Sequence, residues 1–368
     1  MKQCVSLFIF VFLAACQPAP TSPAATLPPP SVVIETITPS PVPTLPLTPS
    51  STPTVNELIF PYTIDGLRQH EYQSGDIHIR FTLDENDFYT SYLIDYPSDG
   101  LMITGVMLIP KGNGPFPVII LNHGFFARSV YNSGDGTDRA SAFLARRGYI
   151  TLASDYRSWG GSDVGDSFFY SGLVIDVINL LNAIPSIPQA DAKRVGMWGH
   201  SMGGGVTMKA LTVDSHVGAA VLYSTVSADD TDILQRWGLG CIGDIGAGEL
   251  QLGCNSADIV PLDLPPGLVQ AYYDASTNSD LLHQTSPFYN LELVNTPIQI
   301  AYGTEDGKVF SGTPPEWSQK LYQGLKDAGK DVQLFAYEGE RHSFIGDSWF
   351  AFMERTAKFF DGHVKNAK

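Results

Sequence analysis

From residue 88 onward the chain alternates two hydrophobic patterns. Apolar runs of strand length occur at Phe88–Tyr96, Leu101–Ile109, Pro117–Asn122, Tyr149–Ser154, Arg194–Gly199, Gly218–Tyr223, Pro297–Tyr302 and Val332–Tyr337. Between the later runs lie stretches with apolar residues at helical spacing: Thr137–Arg147, Gly172–Ala183, Met202–Thr212 and Glu316–Ala328, with a last one at Ser348–Phe360. The first two runs flank Pro97-Ser98-Asp99-Gly100, whose turn chemistry predicts an antiparallel hairpin. The later runs are largely apolar, as strands buried on both faces are. Such strands separated by helices predict an α/β domain with a mostly parallel eight-stranded sheet flanked by helices. Asp76–Leu83 is a candidate further edge strand, and the chain has no internal repeat.

One interval breaks the alternation. Residues 227–286 contain no convincing core strand, although the strands before and after them should be sheet neighbours. A structureless loop of that length is improbable in a compact domain, so the interval reads as a helical cap insertion within a domain spanning 55–368. It carries nine carboxylates from Asp229 to Asp280 against the single Arg236, and offers Trp237, Tyr272 and Tyr273 as apolar surface. Leaving the sheet after Gly218–Tyr223, it could roof a site there. An acidic roof would favour neutral or cationic substrates over anionic ones.

The first 54 residues have a different character. Lys2 precedes an apolar run, Val5 to Leu13, that is too short to span a bilayer and reads as a signal peptide. The run ends Leu13-Ala14-Ala15-Cys16, which resembles the lipobox of bacterial lipoproteins, in which the cysteine is acylated and becomes the first mature residue. Residues 17–54 hold twelve of the 26 prolines among many Thr and Ser, so they cannot bury a core and read as an extended tether. At about 3.1 Å per residue its contour is roughly 100 Å. The expectation is an exported protein, anchored to the bacterial membrane through a lipid on Cys16, with its folded domain outside the cytoplasm. In that oxidising setting Cys241 and Cys254, the only cysteines of the mature domain, are expected to form a disulfide.

Charge narrows the partners. The chain has 38 acidic residues against 22 Lys and Arg, a formal net charge of -16, so phosphate backbones are repelled and nucleic acid is not an expected partner. Cys241 and Cys254 with no histidine between them do not make a metal site, and no histidine spacing elsewhere does. No cofactor or metal is expected.

The most informative stretch is Val195-Gly196-Met197-Trp198-Gly199-His200-Ser201-Met202-Gly203-Gly204, where a strand runs into Gly-x-Ser-x-Gly and then a helix. A nucleophilic serine needs a tight turn that lifts its hydroxyl clear of the sheet edge, with glycines where Cβ atoms would collide across it. Serine at its free pKa is a poor nucleophile, so a base must follow. His342 stands just past the strand Val332–Tyr337, and Asp306 just past Pro297–Tyr302, at the edge where open α/β sheets place their sites. Glu305 is the nearest rival for the acid, with Asp229 and Asp230 more remote. After Pro117–Asn122 come His123-Gly124-Phe125; Gly124 allows a close approach, and the backbone N–H groups of Phe125 and Met202 are the candidate oxyanion donors. His123 then reads as an orienting residue, and His200 as a packing or supporting one.

Tyr96-Pro97-Ser98-Asp99-Gly100, His123-Gly124, Asp155-Tyr156-Arg157-Ser158-Trp159-Gly160-Gly161-Ser162, Gly199–Gly204, Gly303–Val309 and Gly339–His342 follow one another in an order that resembles prolyl oligopeptidase-like catalytic domains of the α/β-hydrolase superfamily. The resemblance covers about residues 88 to 362 and implies the α/β-hydrolase fold with Ser201, Asp306 and His342 as catalytic triad. The N-terminal β-propeller of the family's peptidases has no counterpart here, so the domain is equally similar to bacterial esterases and dienelactone-hydrolase relatives. Hydrolysis of a small-molecule ester or amide through an acyl-enzyme is the leading expectation. Cleavage of short peptides is the alternative, followed by acyl transfer to another acceptor and by a non-catalytic binding lipoprotein. Dehalogenase chemistry needs a carboxylate nucleophile at the elbow, which Ser201 excludes.

The leader makes a prediction of its own. Cys16→Ser should release the protein into the soluble fraction without changing turnover, as read by membrane fractionation and assay of both fractions; continued sedimentation with the membrane would show that anchoring has another cause.

Overall fold

The computed structural model describes residues 53–238, 264–265 and 267–366. Cys16, Cys241, Cys254 and nearly all of the 17–54 segment lie outside the described residues. The strands are β1 (His78–Glu85), β2 (Tyr89–Ser98), β3 (Leu101–Pro110), β4 (Phe116–Asn122), β5 (Ile150–Ser154), β6 (Ala190–His200), β7 (Ala219–Tyr223), β8 (Ile298–Gly303) and β9 (Val332–Tyr337). The helices are α1 (Val55–Ile59), α2 (Ile64–Gln69), α3 (Asp138–Ala145), α4 (Ser171–Ala183), α5 (Met202–Val213), α6 (Asp230–Trp237), α7 (Leu268–Ser276), α8 (Ser279–Thr285), α9 (Pro315–Asp327) and α10 (Gly346–Phe360).

The strands form a nine-stranded sheet in the order β1-β2-β3-β5-β4-β6-β7-β8-β9. The expected count of eight is therefore one short: the extra strand is β1, the optional edge strand of the sequence. Every residue of β1 is exposed and its pairing with β2 slips twice, so no buried face imposed a pattern that could be read. From β5 through β9 all pairings are parallel, whereas β1, β2 and β3 join antiparallel. The β2–β3 turn puts Asp99 at φ 52° and Gly100 at φ 80°, the doubly left-handed turn whose twist matches a two-residue hairpin.

Alternation along each central strand divides the core into two layers. In β4, Val118 and Ile120 face a cluster with Val174 and Val177 of α4, Val206 and Leu211 of α5 and Leu321 of α9. Ile119 and Leu121 face the other side, among Leu144 of α3 and Phe352, Met353 and Phe360 of α10. With both faces covered, β4, β5, β7 and β8 have almost no solvent side, which explains their largely apolar sequences.

The Asp155-Tyr156-Arg157-Ser158 segment ties the loops above this sheet. Arg157 donates through Nε and Nη2 to buried Asp176 of α4, at 3.1 and 2.9 Å, and Ser98 Oγ donates to the same carboxylate at 2.7 Å. Asp155 accepts from Thr104 Oγ1 at 2.6 Å, Tyr131 Oη at 2.8 Å and the Gly134 N–H at 3.2 Å. One buried carboxylate thus binds the hairpin to α4, and the other holds the loop that runs on from β4.

Within 227–286 the described residues form α6, α7 and α8. α7 and α8 pack through Leu268, Ala271, Tyr272 and Leu281 against Ile59 of α1 and Phe168 and Phe169. Tyr272 is buried there and is not the exposed apolar surface its sequence position suggested.

Candidate active site

β6 ends at His200 and α5 begins at Met202, which leaves Ser201 alone at the turn between them. Its backbone sits at φ 56° and ψ −121°, a conformation an L-residue holds only when its surroundings impose it. They do so by hydrogen bonds. The Ser201 N–H donates to the Tyr223 carbonyl at 3.0 Å, and the Ser201 carbonyl accepts from Gly204 at 2.9 Å and Val226 at 3.1 Å. Crowding fixes the neighbours: a Cβ on Gly199 would run into the carbonyl of Gly203, and one on Gly203 into that of Asn122. Both glycines of the motif therefore answer to close backbone approach.

His342 and Asp306 converge on this turn from the loops after β9 and β8. His342 Nε2 lies 2.9 Å from Ser201 Oγ, and its Nδ1 lies 3.0 Å from Asp306 Oδ2 and 3.2 Å from Oδ1. A carboxylate only accepts, so Nδ1 carries the proton of the neutral ring and Nε2 is free to accept from the serine hydroxyl. Asp306 also accepts from the Gly307 N–H at 2.7 Å, the Thr313 N–H at 3.0 Å and the Thr313 hydroxyl at 2.8 Å. Burial pushes its carboxyl pKa up, but the hydrogen bond and charge of His342, together with the Thr313 and Gly307 donors, outweigh burial and hold it below the usual carboxylate value.

The rival acids have other partners. Glu305 pairs with Lys308, and its N–H donates to the Glu340 carbonyl at 2.9 Å. Asp229 caps α6 through the Thr231 N–H at 3.0 Å, and shares Lys320 with Asp232, each at 2.8 Å. Asp230 is buried, accepts from Thr285 Oγ1 at 2.6 Å, and has its carboxyl pKa raised chiefly by burial. Three carboxylates of the expected acidic roof thus share a lysine or lie inside the fold.

The loop after β4 reaches the same place. A Cβ on Gly124 would stand 3.1 Å from the Ser201 Cβ, so this backbone touches the serine with no room to spare. Phe125 follows, its side chain exposed. Met202 opens α5, where first-turn N–H groups have no partner within the helix. His123 is buried beneath the loop, with its ring against Tyr131 and Tyr156 and its nitrogens 2.7 Å from the Gly124 carbonyl and 3.2 Å from that of Asp155. Burial lowers its pKa, and the ring supports the loop from below. His70, His78 and His216 sit beside Asp99, Asp95 and Asp214, and His283 and His363 pack on Tyr289 and Phe359. Among the described residues no group of three or more His, Cys, Asp or Glu could hold a metal ion.

Thr313 and the α6 contacts escaped the sequence. Thr313 is seven residues beyond Asp306, and only the folded loop brings it back. Arg236 Nη2 donates to the carbonyls of Gly307 and Val309, each at 3.0 Å, and Trp237 Nε1 donates to that of Phe310 at 2.8 Å. The end of α6 thereby anchors the acid loop.

A nine-stranded α/β sheet with Ser201, His342 and Asp306 in hydrogen-bonded series at the C-terminal edge of its parallel strands defines the class. The family model described as "Alpha/beta hydrolase family" matches residues 118–357, and the chain belongs to that family. Esterase FrsA of Shigella boydii is 30% identical over 116 residues, which are 32% of this chain and 27% of that protein. An uncharacterized 31.7 kDa protein encoded in the traX-finO intergenic region of Escherichia coli is 33% identical over 139 residues, 37% of this chain and 46% of that one. The chain thus spans less than half the length of these curated relatives. Among solved structures, the acetyl xylan esterase from Paenibacillus sp. R4 superposes with a TM-score of 0.57 at 17% identity, covering 85% of this chain and 96% of that one. The Pyrococcus horikoshii acylaminoacyl peptidase gives 0.52 at 18% identity, over 81% of this chain and 52% of the other. These two likenesses are likenesses of fold.

Thr313→Val keeps the shape of the side chain and removes one donor from Asp306. A hydrogen bond to a charged group contributes about 1.5–3 kcal/mol, and about 1.4 kcal/mol is a factor of ten. The variant should therefore lose roughly tenfold or more in kcat with little change in KM; steady-state kinetics at the wild-type level would show that the Gly307 and Thr313 N–H groups suffice to hold the carboxylate.

Proposed function

We propose that this hydrolase cleaves carboxylic esters through an acyl-enzyme, with Ser201 as nucleophile, His342 as general base and acid, and Asp306 as the group that orients and stabilises the imidazole. The observation that carries the reading is the 2.9 Å approach of His342 Nε2 to Ser201 Oγ, with Asp306 at 3.0 Å on the far nitrogen. In the first half-reaction Ser201 Oγ attacks the substrate carbonyl carbon while His342 Nε2 takes its proton. The resulting imidazolium is stabilised by the Asp306 carboxylate, which stays ionised because its own pKa is held down. The oxyanion of the tetrahedral intermediate is received by the N–H groups of Phe125 and Met202, and His342 then returns its proton to the leaving alkoxide. Water repeats the sequence on the acyl-serine and releases the acid.

Ester cleavage is preferred over peptide cleavage because no sequence motif in the chain selects a peptide amine or carboxylate. The similarity to Esterase FrsA agrees with that preference. We further infer that the enzyme is held to a bacterial membrane by a lipid on Cys16, so that its substrates are met outside the cytoplasm.

The test compares p-nitrophenyl esters of increasing acyl length with aminoacyl-nitroanilides, using the wild type, Ser201→Ala and Asp306→Asn. Ester turnover should exceed anilide turnover. Ser201→Ala should lower kcat by about 10⁴- to 10⁶-fold, and Asp306→Asn by about 10⁴-fold with the fold intact by circular dichroism. Faster turnover of the anilides would replace the ester reading with a peptidase. Labelling by a fluorophosphonate without turnover of either series would point to transfer onto an acceptor other than water. Residual activity of Ser201→Ala near the wild-type level would remove the serine from the chemistry altogether.

A further inference from the structure

The chemistry assigned to His342 requires its ring to span two partners, yet its loop is mostly open to solvent: Arg341 and Ile345 are both exposed. What holds the main chain there comes from beneath. His200, the last residue of β6, and Tyr223, the last of β7, are register partners across the parallel pair. Their rings stack at 4.5 Å with 27° between planes, and the His200 ring lies 4.8 Å from that of His342. His200 Nε2 lies 3.0 Å from the His342 carbonyl oxygen. A carbonyl accepts, so His200 carries its ring proton on Nε2 and donates it there. Two residues further on, the Phe344 N–H donates to the Tyr223 hydroxyl, while the Phe344 ring packs edge-on against Tyr223 at 4.6 Å.

We propose that His200 and Tyr223 are positioning residues that together clamp the main chain of 342–344 and so set the reach of the His342 imidazole between Ser201 and Asp306. The clamp fastens a carbonyl on one side of Ser343 and an N–H on the other, which fixes the position and the tilt of the peptide segment carrying the base. Its two halves come from the strand ends that bracket the serine: His200 precedes Ser201 directly, and the Tyr223 carbonyl accepts the Ser201 N–H at 3.0 Å. Nucleophile and base are thereby referred to one rigid pair of side chains. The same arrangement calls for an uncharged His200, because a second cation beside His342 would oppose the imidazolium formed in the reaction. Burial first, and the neighbouring His342 second, push the His200 pKa down to about 3, so the ring is neutral wherever the enzyme works.

The inference rests on the serine-hydrolase reading, and the experiment separates the two. His200→Phe keeps a ring on Tyr223 and loses the N–H; His200→Gln loses the ring and can still donate. A misplacement on the order of 1 Å at a reacting group can cost about 10²-fold, so His200→Phe should lose about 10- to 100-fold in kcat with KM within about twofold. His200→Gln should recover most of that loss. Tyr223→Phe should also lower kcat alone, and the double variant should lose less than the product of the two single losses, since either cut opens the same clamp. In proton NMR the downfield resonance of the His342 Nδ1–H facing Asp306 should broaden or move in His200→Phe. Wild-type kcat in a folded His200→Phe, or equal losses in His200→Phe and His200→Gln, would overturn the proposal. Should His200→Phe fail to fold, Tyr223→Phe decides it by the same kcat criterion. Ser201→Ala is the reference in every assay: if it is inactive while the clamp variants match the wild type, only the clamp is wrong, and if it is active the reading of the site falls first.

Discussion

The rest of the structure is arranged around one strained residue. Ser201 sits at a positive φ that costs on the order of 1–3 kcal/mol, and nothing in the serine itself favours it. The strain persists because a buried strand enters the turn and a buried helix leaves it, with backbone hydrogen bonds from Tyr223, Gly204 and Val226 closing around it. Covering both faces of the sheet is what makes those supports rigid. The two core layers, the glycines that allow the turn to be so tight, and the helix that begins one residue later all keep a single hydroxyl at a sheet edge where several loops can reach it.

Much of this could be read from the chain alone. Every central strand was visible as an apolar run because a parallel strand between two helical layers has no polar face to confuse the signal. Ser201 was legible because its turn tolerates only glycine at Gly199 and Gly203, so geometry is written directly into residue type. His342 and Asp306 were legible from their places after strands. β1 was harder, since a fully exposed edge strand is under no burial constraint. Thr313, Tyr223 and Arg236 were invisible for a different reason: each acts through a backbone or side-chain contact made across the fold, and a threonine or tyrosine in such a role looks like any other.

In the segment 227–286 three of the nine carboxylates have partners that composition does not show. Its surplus of acids suggested a negatively charged roof. In the described part, Asp229 and Asp232 are bound to Lys320, which belongs to α9, and Asp230 is buried under hydroxyl donors. Counting charges within a segment ignored partners supplied from outside it. α6 instead contributes a cation and an indole to the loop of Asp306, so the same stretch of chain that was read for its acids supports the acid of the site.

His342 and Ser201 are 141 residues apart in the chain, and Asp306 lies between them, 36 residues before His342. The Ser201–His342 contact is therefore strongly non-local, and loop-closure entropy makes such contacts slow to form. A chain that ends before β8 carries Ser201 and seven of the nine strands, but neither Asp306 nor His342. The Ser201 hydroxyl meets His342 only once β8 and β9 have docked on the sheet and delivered their loops. Completion of the Ser201–His342–Asp306 series is in this sense a report that the last strands have arrived.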